Sequence, residues 1–290
     1  MEEQQKIVLS ASRRTDVPAF YLDWFLGRLE KGFFAVENPF NRVVTNISAR
    51  PEDVHSIVFW SKNYGPMLSS GAARRIRDMG FRAFFHFTIN SPCPDLEPRV
   101  PPLAERLDQL ARLSDAYSPA AVAWRFDPIC FYTKKGVLHD NLEDFSAIAR
   151  AAAGAGITRC VTSFMDPYNK IARRMAKRPD MEFACPEQAQ REEILRGMKA
   201  VLDPLGIDLY LCCERRLAQS LESLGVRPHA CVDHHLLARL YGPEGLSFQQ
   251  DRGQRTSAGC GCHESRDVGS YRNQPCRHRC IYCYANPDRS

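Results

Sequence analysis

The sequence lacks any hydrophobic run that approaches the roughly 18–20 apolar residues needed to cross a bilayer. It also lacks the basic and apolar start of a secretory signal, because its first six residues, MEEQQK, are polar and acidic. No charge of one sign dominates, since 39 Lys and Arg stand against 34 Asp and Glu, a net charge of +5. We therefore expect a cytoplasmic protein that does not engage a membrane.

Cysteine, in contrast, is abundant. Twelve cysteines are present, and Cys260, Cys262, Cys276, Cys280 and Cys283 fall within 24 residues. In the reducing compartment expected here, clustered cysteines indicate metal or redox chemistry rather than disulfides.

Strand-like and helix-like segments alternate along most of the chain. The apolar runs that predict strands lie at 6–11, 55–60, 81–88, 120–126, 158–164 and 207–212, each followed by a helix-like stretch. Such alternation predicts the α/β class with a parallel sheet and crossover helices. We expect a (β/α)6-type partial TIM barrel over residues 1–229, with an open doubly wound sheet as the alternative. Residues 230–290 predict a short helix and then an irregular cysteine-rich tail docked on the barrel.

Polar side chains collect where the predicted strands end, which is where parallel α/β folds bind ligands. We take seven of them as candidate catalytic residues: Arg13, Arg14, Asp16, Lys62, Arg125, Asp127 and Glu214. Because a helix N-terminus repels cations, the four basic residues predict a small anionic substrate rather than helix capping. Capping explains Asp16 equally well. Ion pairing of Arg125 with Asp127 or Glu214 is the competing explanation for the cations.

The strongest motif is C-x3-C-x2-C, formed by Cys276, Cys280 and Cys283. Three thiolates at this spacing suit a 4Fe–4S cluster whose fourth iron has no protein ligand. Zinc is one alternative, although only Cys280 and Cys283 form a C-x2-C pair. A redox dithiol is the other alternative, although the sequence lacks the βαβ pattern expected around such a pair in thioredoxin-like proteins. The roles of Cys212, Cys213, Cys231, Cys260 and Cys262 stay open.

This loop resembles the cluster loop of the radical S-adenosylmethionine (SAM) enzymes, displaced here to the C-terminus. The resemblance implies that Cys276, Cys280 and Cys283 bind the cluster and that Tyr282 packs near the adenine of SAM. It also implies that Arg13, Arg14, Lys62 or Arg125 meets the SAM carboxylate, and that an electron donor such as flavodoxin or ferredoxin reduces the cluster. The chain departs from the pattern in having no convincing glycine-rich segment for the SAM amine.

A second resemblance spans nearly the whole chain. It rests on SASRRTD at 10–16, NPFN at 38–41, VFWSKN at 58–63, WRFDP at 124–128, CGC at 260–262 and the terminal cysteine motif. Together these are similar to a bacterial and archaeal family of unknown function with a TIM-barrel-like fold.

We therefore expect a radical SAM-type enzyme. The alternative is a non-catalytic iron–sulfur or zinc protein. Such a protein would use its basic residues to bind a partner or nucleic acid, of which nucleic acid is the less favoured. A hydrolase or lyase using Arg125, Asp127 and Glu214 is a third hypothesis.

Overall fold

The computed structural model describes residues 5–11 and 13–283. Within them, eight strands, numbered with the others in chain order, form one sheet in the order β12-β11-β9-β6-β5-β4-β1-β13. Every neighbouring pair is parallel. The strands are β1 Ile7–Ala11, β4 Val54–Ser61, β5 Ala83–Thr88, β6 Val122–Ile129, β9 Arg159–Phe164, β11 Asp208–Leu211, β12 Arg227–Pro228 and β13 Arg266–Val268.

The α/β class and the parallel sheet are thus confirmed, and all six predicted strands are present. The sheet has eight strands rather than six, and its edges β12 and β13 do not pair in the part of the chain that the structure describes. A closed barrel is therefore not formed. The expectation of a tail without strands is wrong, because β13 lies within it and pairs with β1.

Ten helices are present within the described ranges. They are α1 Val17–Phe20, α2 Leu22–Lys31, α3 Gly65–Ser69, α4 Ala72–Asp78, α5 Leu103–Tyr117, α6 Phe145–Gly154, α7 Asn169–Met175, α8 Gln188–Leu202, α9 Arg215–Ser220 and α10 His234–Tyr241. Helix α2 ends at Gly32, whose left-handed backbone (φ 74°) lets its N–H reach the Leu29 carbonyl. No described helix is long and apolar enough to span a membrane.

Two small antiparallel sheets are present in addition to the main sheet. One is the hairpin of β2 Phe33–Glu37 and β3 Val44–Ser48. The other joins β7 Phe131–Lys134 to β8 Val137–Asp140 and β10 Met181–Ala184, and the sequence does not predict it.

Both faces of the main sheet are covered, which explains why its strands are nearly continuously apolar. Side chains such as Phe59 and Trp124 belong to the large core that includes residues of α2, α4, α5, α6 and α8. Alternate side chains such as Val58 and Phe84 pack against Leu236 of α10. The C-terminal segment therefore docks on the sheet through both α10 and β13.

Candidate functional site

A cavity of about 290 Å³ opens at the carboxyl ends of the main sheet. It is just below the roughly 300–1,000 Å³ typical of small-molecule sites. Of the residues predicted from sequence, nine line it: Arg13, Asp16, Lys62, Arg125, Asp127, Cys276, Cys280, Tyr282 and Cys283. Side chains that lie far apart in sequence thus line one cavity, as expected at this edge of a parallel sheet.

The loop carrying the three motif cysteines forms one wall of the cavity. Cys280 is buried, and Cys276 and Cys283 are half-buried. The Ile281 N–H donates to the Leu96 carbonyl at 2.9 Å. Arg174 donates to the Cys280 carbonyl at 2.9 Å and also to that of Cys283. The loop is therefore held by other parts of the chain rather than by its own structure.

One position in the loop has an unfavourable backbone. Arg279 lies in the left-handed region, with φ of 59°. This conformation costs a residue with a side chain about 1–2 kcal/mol. Such costs are found preferentially at functional sites, where the surrounding structure enforces them. The position, between Cys276 and Cys280, lets the chain turn so that all three motif cysteines face the cavity.

The surroundings of the three thiols are compatible with an iron–sulfur cluster. Across residues 5–11 and 13–283, no group of three Cys, His, Asp or Glu side chains is arranged to hold a single metal ion. A cluster differs from zinc because each thiolate binds its own iron, so the sulfurs need not converge on one point. Cys280 belongs to an apolar group with Leu96, Met165 and Ile171, which would exclude water from that side. Burial raises the pKa of Cys280, and the nearby Lys62 charge opposes this.

Lys62 belongs to a buried polar network centred on Glu97. The Glu97 Oε1 atom accepts hydrogen bonds from Lys62 Nζ at 2.9 Å, from Asn90 Nδ2 at 2.9 Å and from the Tyr282 hydroxyl. Burial raises the pKa of Glu97, but the Lys62 charge and these hydrogen bonds outweigh it and leave the pKa lowered. Burial acts to lower the pKa of Lys62, yet the Glu97 charge leaves it raised. Both groups are therefore held in their charged forms.

Tyr282 is positioned by the same network. Lys62 Nζ lies 5.5 Å from the centre of its ring. Its hydroxyl is held by Glu97 and also accepts from Asn90 Nδ2 at 3.3 Å. The ring is therefore fixed beside the cavity that it lines, which is compatible with the predicted packing against an adenine.

Asp16 connects the start of the chain to the cysteine loop. Its carboxylate accepts from the Ala19 N–H at 3.0 Å, which is the helix-capping role predicted for it. It also accepts from Ser61 Oγ at 2.7 Å and from His278 Nε2 at 3.0 Å. His278 lies between Cys276 and Cys280, so this contact anchors the loop to β1 and β4.

The remaining basic residues of the cavity have acidic partners. Arg125 Nη2 lies 2.6 Å from Asp127 Oδ2. Arg13 Nη1 lies 3.3 Å from Asp267 Oδ1 and 3.8 Å from Asp251 Oδ2. With the Lys62–Glu97 pair, ion pairing accounts for three of the four predicted cations, so their charge alone does not require an anionic ligand.

Two predicted residues lie away from the cavity. Arg14 donates to the carbonyls of Glu37 and Gly269, at 3.0 and 3.4 Å. Glu214 accepts from the Phe164 N–H at 3.1 Å and lines a separate cavity of about 590 Å³, and burial raises its pKa. The pairing of Arg125 is thus with Asp127, and the grouping of Glu214 with them in one catalytic set receives no support.

Sequence reasoning missed several residues of the site. Glu97 and Arg174 lie outside every motif and reach the site from a connecting segment and from α7. Asn90 follows the third predicted strand, where the sequence places polar side chains, but it was not among the candidates. His278 is within the cysteine motif, and its position between two cysteines was the available signal. The wall of the cavity apart from the loop includes five more cysteines: Cys212, Cys213, Cys231, Cys260 and Cys262.

Comparison with known proteins gives one result. The family model described as "Domain of unknown function (DUF1848)" matches residues 8–285, nearly the whole chain. No curated protein gives a significant match. The match includes the main sheet, the cavity and the cysteine loop. The chain therefore belongs to the DUF1848 family.

Proposed function

We propose that this protein is an iron–sulfur enzyme of radical SAM type that acts on a small anionic metabolite. The observation that carries the proposal is that Cys276, Cys280 and Cys283 line the same cavity as the polar ends of the parallel strands. When bound, a 4Fe–4S cluster with one iron free of protein ligands supplies an electron and an open position for SAM.

The residues of the chain have separate tasks in this proposal. Cys276, Cys280 and Cys283 hold the cluster, and Lys62 and Arg174 place positive charge beside these thiolates. The apolar group below Cys280 keeps water away from the cluster, which strengthens electrostatic interactions there. Asp16, through His278, and Arg174 fix the loop so that the cluster faces the cavity.

SAM offers a carboxylate, an amine and an adenine for recognition. Arg13 and Arg125 have guanidinium groups at the cavity, and a guanidinium matches a carboxylate in a bidentate manner. Asp127 lines the cavity and accepts from both Arg125 and Ser163, and its charge suits an amine. We assign the adenine to Tyr282. Arg14 is omitted from this set because its guanidinium is held by backbone carbonyls away from the cavity.

Three further parts of the proposal concern its setting. A donor such as flavodoxin or ferredoxin would supply the electron. The cytoplasm suits it, because all twelve cysteines are free thiols. The six central strands follow one another across the sheet in chain order, as they would in a partial TIM barrel. Nucleic-acid binding gains no support, because the predicted cations at the strand ends are already bound by other groups of the protein.

The direct test is reductive cleavage of SAM. Anaerobically reconstituted protein, given dithionite and SAM, should form 5′-deoxyadenosine and methionine as SAM gains one electron and one hydrogen atom. We expect the unmodified protein to form at least about 100-fold more of both products than the Cys280→Ala variant. Without the cluster, that variant cannot deliver an electron to SAM. Cys185→Ser, which changes an exposed thiol, serves as the matched control. A cluster-loaded protein that forms neither product would overturn the enzyme proposal in favour of a non-catalytic iron–sulfur protein.

A further inference from the structure

Five cysteines that the proposed function does not use lie together at the cavity. Cys212 directly follows β11, Cys213 is next to it, and Cys231 precedes α10. Cys260 and Cys262 come from the Cys-Gly-Cys segment, about 50 residues further along than the first pair. All five line the same cavity as the terminal cysteine loop. Three separate segments of chain thus deliver thiols to one place.

Side-chain interactions connect the five cysteines to one another. Cys212 Sγ lies 3.5 Å from Cys231 Sγ and 4.0 Å from Cys213 Sγ. Cys213 in turn interacts with Cys260 through their side chains. Cys260 also interacts with Cys262, and Cys262 with Cys231, so these interactions connect the five in a ring. We call these five side chains the thiol ring.

Other groups donate hydrogen bonds to the ring. An Arg125 guanidinium N–H donates to Cys231 Sγ at 3.3 Å, and the Val232 N–H donates to Cys262 Sγ at 3.5 Å. Donors of this kind stabilise sulfur in its thiolate form and are the usual supporting contacts of metal-bound cysteine. Two of the five sulfurs thus accept hydrogen bonds of the kind that supports a metal-bound cysteine.

The backbone near the ring also adopts unfavourable or glycine-dependent conformations. Cys213 has φ of 58°, in the left-handed region. Gly259, with φ of 94°, precedes Cys260, and a Cβ atom there would lie 2.8 Å from the Arg215 Cβ. A residue with a side chain would therefore push the Cys-Gly-Cys segment away from Arg215. These features indicate that the positions of the thiols are maintained at some cost in stability.

We propose that the thiol ring binds a second metal centre, distinct from the cluster of the terminal loop and ligated by cysteine thiolates. Four thiolates around one tetrahedral zinc at about 2.3 Å lie about 3.8 Å from one another. This is close to the 3.5 and 4.0 Å that separate Cys212 Sγ from the sulfurs of Cys231 and Cys213. The side chains must turn inward to converge on one ion, since they are not so arranged in the structure. An iron–sulfur cluster is the other centre that the same ligands accept.

This inference does not depend on the proposed function. A zinc ion or a fully ligated iron–sulfur cluster takes four thiolates, which would leave one of the five thiols available. A ligand in the cavity would lie between the terminal loop and the thiol ring, because residues of both line that cavity. The second centre would therefore contact the same bound molecule.

The test measures metal content in full-length variants purified without oxygen. The triple variant Cys276→Ala/Cys280→Ala/Cys283→Ala isolates the thiol ring, and Cys231→Ala/Cys262→Ala removes two adjacent members of it. We expect the triple variant to retain either about one zinc or about four irons, depending on which centre is present. The double variant should lose that metal and keep the iron of the terminal loop. Cys185→Ser should match the unmodified protein.

Equal metal content in the double variant and the unmodified protein would overturn the proposal. A second measurement covers the case in which the double variant does not fold. Co²⁺ or ferrous iron with sulfide is added to the triple variant, whose ring is intact. Thiolate-to-cobalt charge-transfer absorption would support the single ion, and an iron–sulfur absorption spectrum would support the cluster. The absence of both signals from folded protein would contradict a metal centre in the ring.

Discussion

Replacing Cys280 with alanine is expected to lower the iron bound at the terminal loop from about four atoms per chain to below about one. Cys280 is the most buried of the three motif cysteines and lies at the apolar group that covers this wall. Two remaining thiolates leave two irons without protein ligands, and such a cluster is not retained. Iron analysis and the visible absorption of reconstituted protein measure the effect.

The matched controls separate this effect from general thiol loss. Cys185→Ser changes an exposed thiol and should leave iron unchanged, whereas Cys276→Ala and Cys283→Ala should act like Cys280→Ala. The iron attributable to the thiol ring is determined from the triple variant and subtracted. Undiminished iron in Cys280→Ala would show that the cluster is bound elsewhere, and zinc in place of iron in the unmodified protein would favour a structural metal.

Replacing Glu97 with glutamine is expected to lower the free energy of unfolding by about 3–5 kcal/mol, because it leaves Lys62 charged and buried without its counterion. The side chains of Lys62 and Glu97 are only 13% and 4% exposed, so water does not replace the lost partner. Equilibrium urea denaturation measures the change. Adding Lys62→Met to Glu97→Gln should restore much of the stability, since it removes the uncompensated charge.

Glu30 offers a surface control for this experiment. It pairs with Arg75, but both side chains are about half-exposed. Glu30→Gln should therefore change stability by less than about 1 kcal/mol. If Glu97→Gln were no more destabilising than Glu30→Gln, the buried network would not be what fixes Lys62 and Tyr282.

The same pair predicts a dependence of stability on pH. The lowered pKa of Glu97 contributes stability that is present above about pH 4.3, its unfolded pKa, and is lost as the pH falls through the folded value. The raised pKa of Lys62 contributes stability that is present below about pH 10.4 and is lost above the folded value. The difference between the unmodified protein and Glu97→Gln should therefore be largest between these limits.

The main elements of the fold could be predicted from sequence because the central strands are apolar on both faces. Runs such as that of β4 have almost every side chain buried, so the pattern is continuous and easily recognised. The two edge strands escaped prediction because they are short, two residues in β12 and three in β13, and are defined by pairing alone. The polar sequence around β13 gave no signal that it would pair with β1.

The candidate site was predicted only in part, because sequence reveals local patterns but not the partners that folding brings to them. The cysteine motif and the strand-end residues are local patterns, and nine of the predicted residues do line one cavity. Their partners are not local. Asp267 pairs with Arg13 across 254 residues of sequence, and Glu97 comes from a segment without a motif. Sequence therefore indicated three cations that lie at the cavity, together with Arg14, which does not, but their acidic partners became apparent only in the folded arrangement.

The most direct measurement is electron paramagnetic resonance on anaerobically reconstituted, dithionite-reduced protein, with and without SAM. It is best performed on Cys231→Ala/Cys262→Ala, in which the terminal loop holds the only expected cluster, and repeated on the unmodified protein. We predict a reduced 4Fe–4S signal whose g values shift when SAM is added, because SAM binds the iron that lacks a protein ligand. A 4Fe–4S signal that SAM does not change, or no iron signal at all, would contradict the proposed function.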